Sequence, residues 1–262
     1  MTGEWPVGDI MVDGIRLHYY WTGNGSKPPL VLCHGITDNG LCWSPIARVL
    51  EADYDIIMPD ARGHGLSDAP EEGYSYPILA EDLAHIIREL DLAPARLLGH
   101  SMGAATVATL AARYPDLAHA VTLEDPPWRE ASSSSREDRL ETGLTYREAI
   151  EAMHEASMEE LLAGNRIERP TWSEEERACW VLSKHQVKPQ VAQVIASSPQ
   201  DWRELASQIR CQTLLITGDP ELGAIVTPEL AQEAMALLER GRVVDIPDLW
   251  HNIRRVVFDA YI

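Results

Sequence analysis

Ser101 stands in Gly99-His100-Ser101-Met102-Gly103, a G-x-S-x-G pentapeptide between the strand-like Arg96-Leu97-Leu98 and the helical run Ala104–Leu110. A sharp strand-to-helix turn holds its serine in a strained backbone conformation with the hydroxyl exposed, and glycine tolerates the crowding on either side. The following helix aims its N-terminal amides and positive dipole end at the same point. Such a residue can do nucleophilic chemistry if a base removes its proton, because an unassisted hydroxyl is a poor nucleophile at neutral pH. Beyond His185 the chain holds one histidine, His251, just after the last strand-like run. Ser101 is therefore expected as nucleophile and His251 as its general base.

Two further segments extend the pattern. Leu30-Val31-Leu32-Cys33-His34-Gly35-Ile36 reads as a buried strand ending in His-Gly, and Pro59-Asp60-Ala61-Arg62-Gly63-His64-Gly65-Leu66-Ser67 follows the next strand. With the serine turn, these motifs resemble the α/β-hydrolase superfamily, in particular its carboxylesterase- and lactonase-like serine hydrolases with a helical cap. The similarity covers nearly the whole chain and is weakest across the cap that it implies. It implies that the backbone N–H groups of Ile36 and Met102 form the oxyanion hole, where losing one donor can cost about 10²–10³ in rate. His34, His64 and His100 are then expected to brace loops around the site. A serine at the turn weighs against dehalogenase and epoxide-hydrolase chemistry, whose enzymes carry an aspartate there.

The resemblance also implies an acid between serine and histidine in chain order, and three residues compete for that place. In Gly218-Asp219-Pro220-Glu221, Glu221 occupies the usual Gly-x-x-Asp position, but the loop Leu222–Val226 after it is longer than usual. Asp219 lies beside it. Asp125 ends the run Ala120–Glu124, a site from which a minority of the family take their acid. Trp250 stands where the family has a small residue before the histidine, which makes it, with Trp128, a candidate wall of the substrate pocket. Trp43, Trp172, Trp180 and Trp202 are further aromatic candidates, although core packing is the commoner role for such residues.

The elements that must position these groups follow from periodicity. Eight short strand-like runs are Ile10–Val12, Ile15–Trp21, Pro29–Cys33, Asp55–Pro59, Arg96–Leu98, Ala120–Glu124, Thr213–Thr217 and Val243–Ile246. Asp13-Gly14 between the first two predicts a hairpin. Helical patterns cover Pro77–Leu90, Ala104–Arg113 and Pro228–Glu239, the last opened by Thr227 as N-cap. Alternation of this kind predicts an α/β-hydrolase fold with an eight-stranded, mostly parallel sheet and helices on both faces. From about Trp128 to Ile209 the strand-like runs stop. Ser132–Ser135 and the charges after it read as a mobile connection, and Tyr146–Leu162, Glu174–Leu182 and Gln190–Ala196 as helices. A core domain of residues 1–127 and 206–262 with a helical cap at 128–205 is expected. Arg254–Ile262 reads as the start of a closing helix.

Composition narrows the function classes. Among 262 residues, 22 Lys plus Arg face 41 Asp plus Glu, a net charge of −19. A polyanion would be repelled by most of such a surface, which argues against nucleic acid or an anionic membrane as partner. Four scattered cysteines without a C-x-x-C pair suggest neither a disulfide framework nor a zinc site. With no signal-peptide pattern and no apolar run near the ~20 residues of a membrane span, a soluble, cytoplasmic protein is expected. The expected reaction is cleavage of a small-molecule carboxylic ester or lactone through a Ser-His-acid triad and an acyl-enzyme, with no metal and no organic cofactor required. A cofactor-free perhydrolase or haloperoxidase, or a carbon–carbon bond hydrolase, would use the same triad. A non-catalytic binding protein on this scaffold would need neither Ser101 nor His251.

Overall fold

The structure, a computed structural model, describes residues 5–130, 135–197 and 200–262. Its framework is an eight-stranded sheet: β1 (Val7–Val12), β2 (Ile15–Trp21), β3 (Pro29–Cys33), β4 (Asp55–Pro59), β5 (Ala95–His100), β6 (Ala118–Glu124), β7 (Gln212–Thr217) and β8 (Gly241–Asp245). Their spatial order is β1-β2-β4-β3-β5-β6-β7-β8. Asp13 and Gly14, at φ of 50° and 82°, make the hairpin turn between the first two strands. β2 pairs antiparallel with β4, and all later pairings are parallel. All eight expected strands are present. Every residue of β4 is buried, as a continuous apolar run in the middle of a parallel sheet must be.

Helices cover both faces, which is what forces those runs to be apolar. One face carries α1 (Ser44–Leu50), whose Ile46 and Ala47 pack with Trp43 over Leu30, Leu32 and Ile56. The other carries α2 (Tyr76–Glu89) and α3 (Met102–Arg113) over Val31, Ile57, Leu97 and Val121. Ten consecutive residues of α3, from Met102 to Ala111, are buried. Its alanines and single Gly103 let the backbone lie close behind β5, so the turn that enters α3 is fixed by packing on both sides. Truncating a residue such as Leu97 in this layer would cost about 2–5 kcal/mol.

Among the described residues between β6 and β7 there are helices and no strand. The charged stretch after the serines, expected as a connection, is instead helix α4 (Arg136–Glu155). Ser135 and Asp138 satisfy each other's free amides there in a capping box, a local signal for helix that outweighs the high polarity. Ser132, Ser133 and Ser134 lie outside the described residues. The single helix expected over Tyr146–Leu162 is two, because a second capping box at Ser157 and Glu160 ends α4 and starts α5 (Met158–Glu168). α6 (Glu174–Gln186) and α7 (Gln193–Ala196) follow.

The expected boundary at residue 205 falls inside α8 (Trp202–Gln208), whose Trp202 and Ala206 join the same core cluster as α3. Thr227 accepts from the Leu230 amide and caps α9 (Pro228–Leu237). The closing helix expected over 254–262 is two single turns, α10 (Ile253–Val256) and α11 (Phe258–Tyr261). Among the described residues no helix is long and apolar enough to cross a membrane.

Candidate active site

The turn from β5 into α3 places Ser101 at φ 53° and ψ −116°, a left-handed conformation that non-glycine residues rarely adopt. Its amide donates to the Glu124 carbonyl at 2.9 Å, which ties the strained residue to the neighbouring strand. The flanking glycines are required by space. A Cβ on Gly99 would lie 2.3 Å from the Gly103 carbonyl oxygen, and one on Gly103 would lie 2.1 Å from that of Cys33. The sequence logic of G-x-S-x-G is thus a steric one here: β5, α3 and the end of β3 approach too closely for any side chain at either position.

His251 follows β8 and meets Asp125, which follows β6. Its Nδ1 lies 2.5 Å from Asp125 Oδ2. Asp125 is fully buried, at φ 42°. Its carboxylate also accepts hydrogen bonds from the amides of Ile225, at 2.8 Å to the nearer oxygen, and Val226, at 2.9 Å. Carboxylate oxygens accept only, so the imidazole nitrogen facing Asp125 donates, which leaves Nε2 free to act as the base. The other two acid candidates are elsewhere engaged. Asp219 accepts from the Glu221 amide and caps the short turn Pro220–Leu222, and Glu221 is exposed. Among the described residues the carboxylate that His251 bonds is that of Asp125, not of Asp219 or Glu221.

His100, the residue before the serine, holds the backbone of His251. Its Nε2 donates to the His251 carbonyl at 3.0 Å, and the two rings lie 4.7 Å apart between centroids. Burial, with Arg254 and His251 nearby, holds the His100 imidazole well below its ordinary pKa. It is a neutral strut.

The loop after β3, whose Gly35 lies against His100, carries Ile36. Among the described residues neither the Ile36 nor the Met102 N–H has a protein acceptor, as free oxyanion donors require. His34 donates through Nδ1 to the Gly35 carbonyl at 2.8 Å and accepts at Nε2 from the Ala61 amide at 3.0 Å. Burial, with His64 beside it, pushes its pKa down to about 3, so it stays neutral. His64 reaches the Ile36 carbonyl through Nε2 at 2.6 Å. Each of the three histidines expected to brace loops has at least one ring nitrogen on a backbone group.

The tryptophans divide by position. Trp128, expected as a pocket wall, is 3% exposed and stacks on Trp202 at 5.0 Å in the main core. Trp43 and Trp172 are likewise buried. Trp250 is half-buried and lines a cleft of about 350 Å³ with Arg169, Trp172 and Leu222. Its ring is covered by the Arg169 guanidinium at 4.1 Å and packs parallel to Trp172. The amides of Ile225 and Val226, which hold Asp125, are not among the expected site groups, since no motif marks the loop that carries them.

This fold and geometry define a class. The α/β hydrolase fold family matches residues 28–165, and the chain belongs to that family. It is 40% identical over 131 residues to 2-(acetamidomethylene)succinate hydrolase of Mesorhizobium japonicum, a match spanning 49% of this chain and 47% of that one. A 32% identical stretch of 122 residues aligns with bifunctional epoxide hydrolase 2 of Sus scrofa, over 45% of this chain and 22% of the relative. The chain therefore spans about half, or less, of the curated relatives it matches. In three dimensions it is similar along nearly its whole length to the enol-lactonase of Burkholderia xenovorans LB400. That likeness has a TM-score of 0.76 and 25% identity, and covers 97% of this chain and 96% of the other.

Proposed function

We propose that this protein is a serine hydrolase that cleaves a carboxylic ester or lactone by acyl transfer, with Ser101, His251 and Asp125 as its triad. The observation that carries the reading is the 2.5 Å contact of His251 with buried Asp125, on a loop braced by the residue next to a strained Ser101. In this scheme His251 Nε2 takes the Ser101 proton as Oγ attacks the carbonyl carbon, and the Ile36 and Met102 amides receive the charge that develops on its oxygen. His251 then protonates the leaving alkoxide, releasing an alcohol and leaving Ser101 acylated. A water deprotonated by His251 attacks the acyl-enzyme, and the regenerated serine takes the proton back. Asp125 fixes the tautomer and steadies the imidazolium.

The helices from residue 128 to 205 would lie over this site as its cap. The serine in the turn speaks against epoxide opening, despite the epoxide-hydrolase relative. A second reading, hydrolysis of an amide, has one specific support: the 40% identical relative is named for an acetamido substrate. The same Ser101 would serve, with nitrogen in place of oxygen as leaving atom.

The discriminating experiment is a substrate panel: p-nitrophenyl esters of rising chain length, γ- and δ-lactones, and N-acyl amides. Turnover of esters or lactones, lost in Ser101→Ala, is the expected result. Amide turnover with inert esters and lactones would replace the first reading with the second. Turnover unaffected by Ser101→Ala would end both.

A further inference from the structure

Three successive carbonyls around the Ile36 amide are each held by a buried side-chain nitrogen. The Gly35 carbonyl receives His34 Nδ1 at 2.8 Å, the Ile36 carbonyl His64 Nε2 at 2.6 Å, and the Thr37 carbonyl Lys184 Nζ at 2.6 Å. The two histidines belong to the sheet loops themselves. Lys184 does not. It comes from α6, in the helical segment between β6 and β7, and its side chain reaches 147 residues back along the sequence.

Lys184 is 1% exposed and uses its ammonium fully on this loop. Besides the Thr37 carbonyl it donates to Thr37 Oγ1 at 2.9 Å and to Asp38 Oδ1 at 3.0 Å, with Ser183 Oγ at 3.3 Å. Asp38 is buried as well. Its Oδ2 accepts from Arg255 at 3.1 Å, with Arg254 at 3.7 Å, and Arg255 returns to α6 through Glu176 at 2.5 Å. Burial works to raise the Asp38 carboxyl, but Arg255, Lys184 and Arg254 together hold it well below the usual carboxylate range. The result is a closed ionic knot in which every charge has a partner, the condition under which buried charges are tolerated. One end of the knot is α6; the other is the pair of residues directly after Ile36.

An oxyanion hole helps only if its donors are already aimed when charge develops, so the peptide planes on both sides of Ile36 must not rotate. The Gly35–Ile36 plane is held at its carbonyl by His34. The same Gly35 carbonyl also accepts from the Asp38 amide at 3.0 Å, so the Thr37–Asp38 plane is tied directly to the plane of the Ile36 amide. The carbonyls of the next two planes are held by His64 and Lys184. We propose that Lys184 is a positioning residue for the oxyanion donor: by clamping Thr37 and Asp38 it fixes the Ile36 amide, and it makes seating of α6 a condition for a formed oxyanion hole. It touches no reacting atom and acts through the backbone. The proposal rests on the acyl-transfer reading above, since it gives Lys184 its purpose.

The test compares wild type with Lys184→Met, which keeps the stem and removes the donors, and Lys184→Gln, which keeps one donor group. Asp38 retains Arg255 and Arg254 in both, so the fold has a compensated carboxylate. On a p-nitrophenyl ester, Lys184→Met is expected to lower kcat by about 10- to 100-fold, less than the ~10²–10³ of a lost donor, with KM within about threefold. Lys184→Gln should fall between. Hydrogen exchange of the amides of residues 35–38 should quicken in Lys184→Met while β5 and α3 keep their protection. A folded Lys184→Met with kcat within about threefold of wild type would overturn the proposal, as would unchanged exchange at 35–38. If Lys184→Met fails to fold, Lys184→Gln is read by the same two criteria. A wild type inert to esters, lactones, amides and fluorophosphonate would instead overturn the acyl-transfer reading, and the exchange comparison would still decide whether Lys184 holds the loop.

Discussion

His251 Nδ1 and Asp125 Oδ2 meet at 2.5 Å across 126 residues of sequence, and the same carboxylate is gripped by two backbone amides of the loop after β7. Asp125 thus sits where an imidazole can be both oriented and electrostatically steadied.

The first prediction follows from that contact. Asp125→Asn should retain the fold and lose about 10⁴ in kcat, the scale seen when a triad carboxylate is replaced by its amide and the wrong tautomer is favoured. Glu221→Gln, on an exposed side chain, and Asp219→Asn should stay within about threefold of wild type. Steady-state kinetics on one ester decide it; a Glu221→Gln as impaired as Asp125→Asn would refute the assignment.

The serine turn makes a stability prediction. The position of the missing Cβ of Gly103, 2.1 Å from the Cys33 carbonyl oxygen, is blocked by backbone that cannot swing away. Gly103→Ala should therefore cost about 3 kcal/mol, the upper end for overpacking, or prevent folding. Gly164→Ala, where a Cβ would meet nothing within 4 Å, is the matched control in α5 and should be neutral to stabilising. Urea denaturation of the two variants against wild type checks both.

Acid stability offers a third. His34 has a folded pKa of about 3, lowered first by burial and then by His64, against about 6.5 when unfolded. The unfolded chain binds the extra proton, so stability is full above about pH 6.5 and is lost as pH falls toward 3. Between pH 6.5 and 5 the loss from His34 alone is about 2 kcal/mol, at 1.36 kcal/mol per pH unit. His64 and His100, also shifted down by burial, act in the same direction. Urea midpoints should drop from pH 7.5 to pH 5, and His34→Gln should narrow that drop while lowering stability at pH 7.5.

Much of the scaffold was legible because its physics is local. Each buried strand is an apolar run, the hairpin is an Asp-Gly turn, and Gly99 and Gly103 flank Ser101 in sequence as they crowd it in space. The breaks at Ser135 and Ser157 were legible too, as S-x-x-D and S-x-x-E, but the polarity of the segment masked them. What the chain did not reveal is set by long-range closure. The acid could not be chosen among Asp125, Glu221 and Asp219, because the choice depends on which loop end meets His251. The Ile225 and Val226 amides that hold Asp125 have no side-chain signature. Trp128 could line a pocket or stack on Trp202 with the same local sequence, and Lys184 looks like any exposed lysine until α6 is docked on residues 37 and 38.

The most direct measurement is covalent labelling of the folded protein by a fluorophosphonate, with the adduct located by peptide mass spectrometry. The account predicts one adduct, on Ser101, abolished in Ser101→Ala and slowed by about 10³-fold or more in His251→Ala. Folded protein with no adduct on Ser101, or labelling of Ser101 at the same rate without His251, would contradict it.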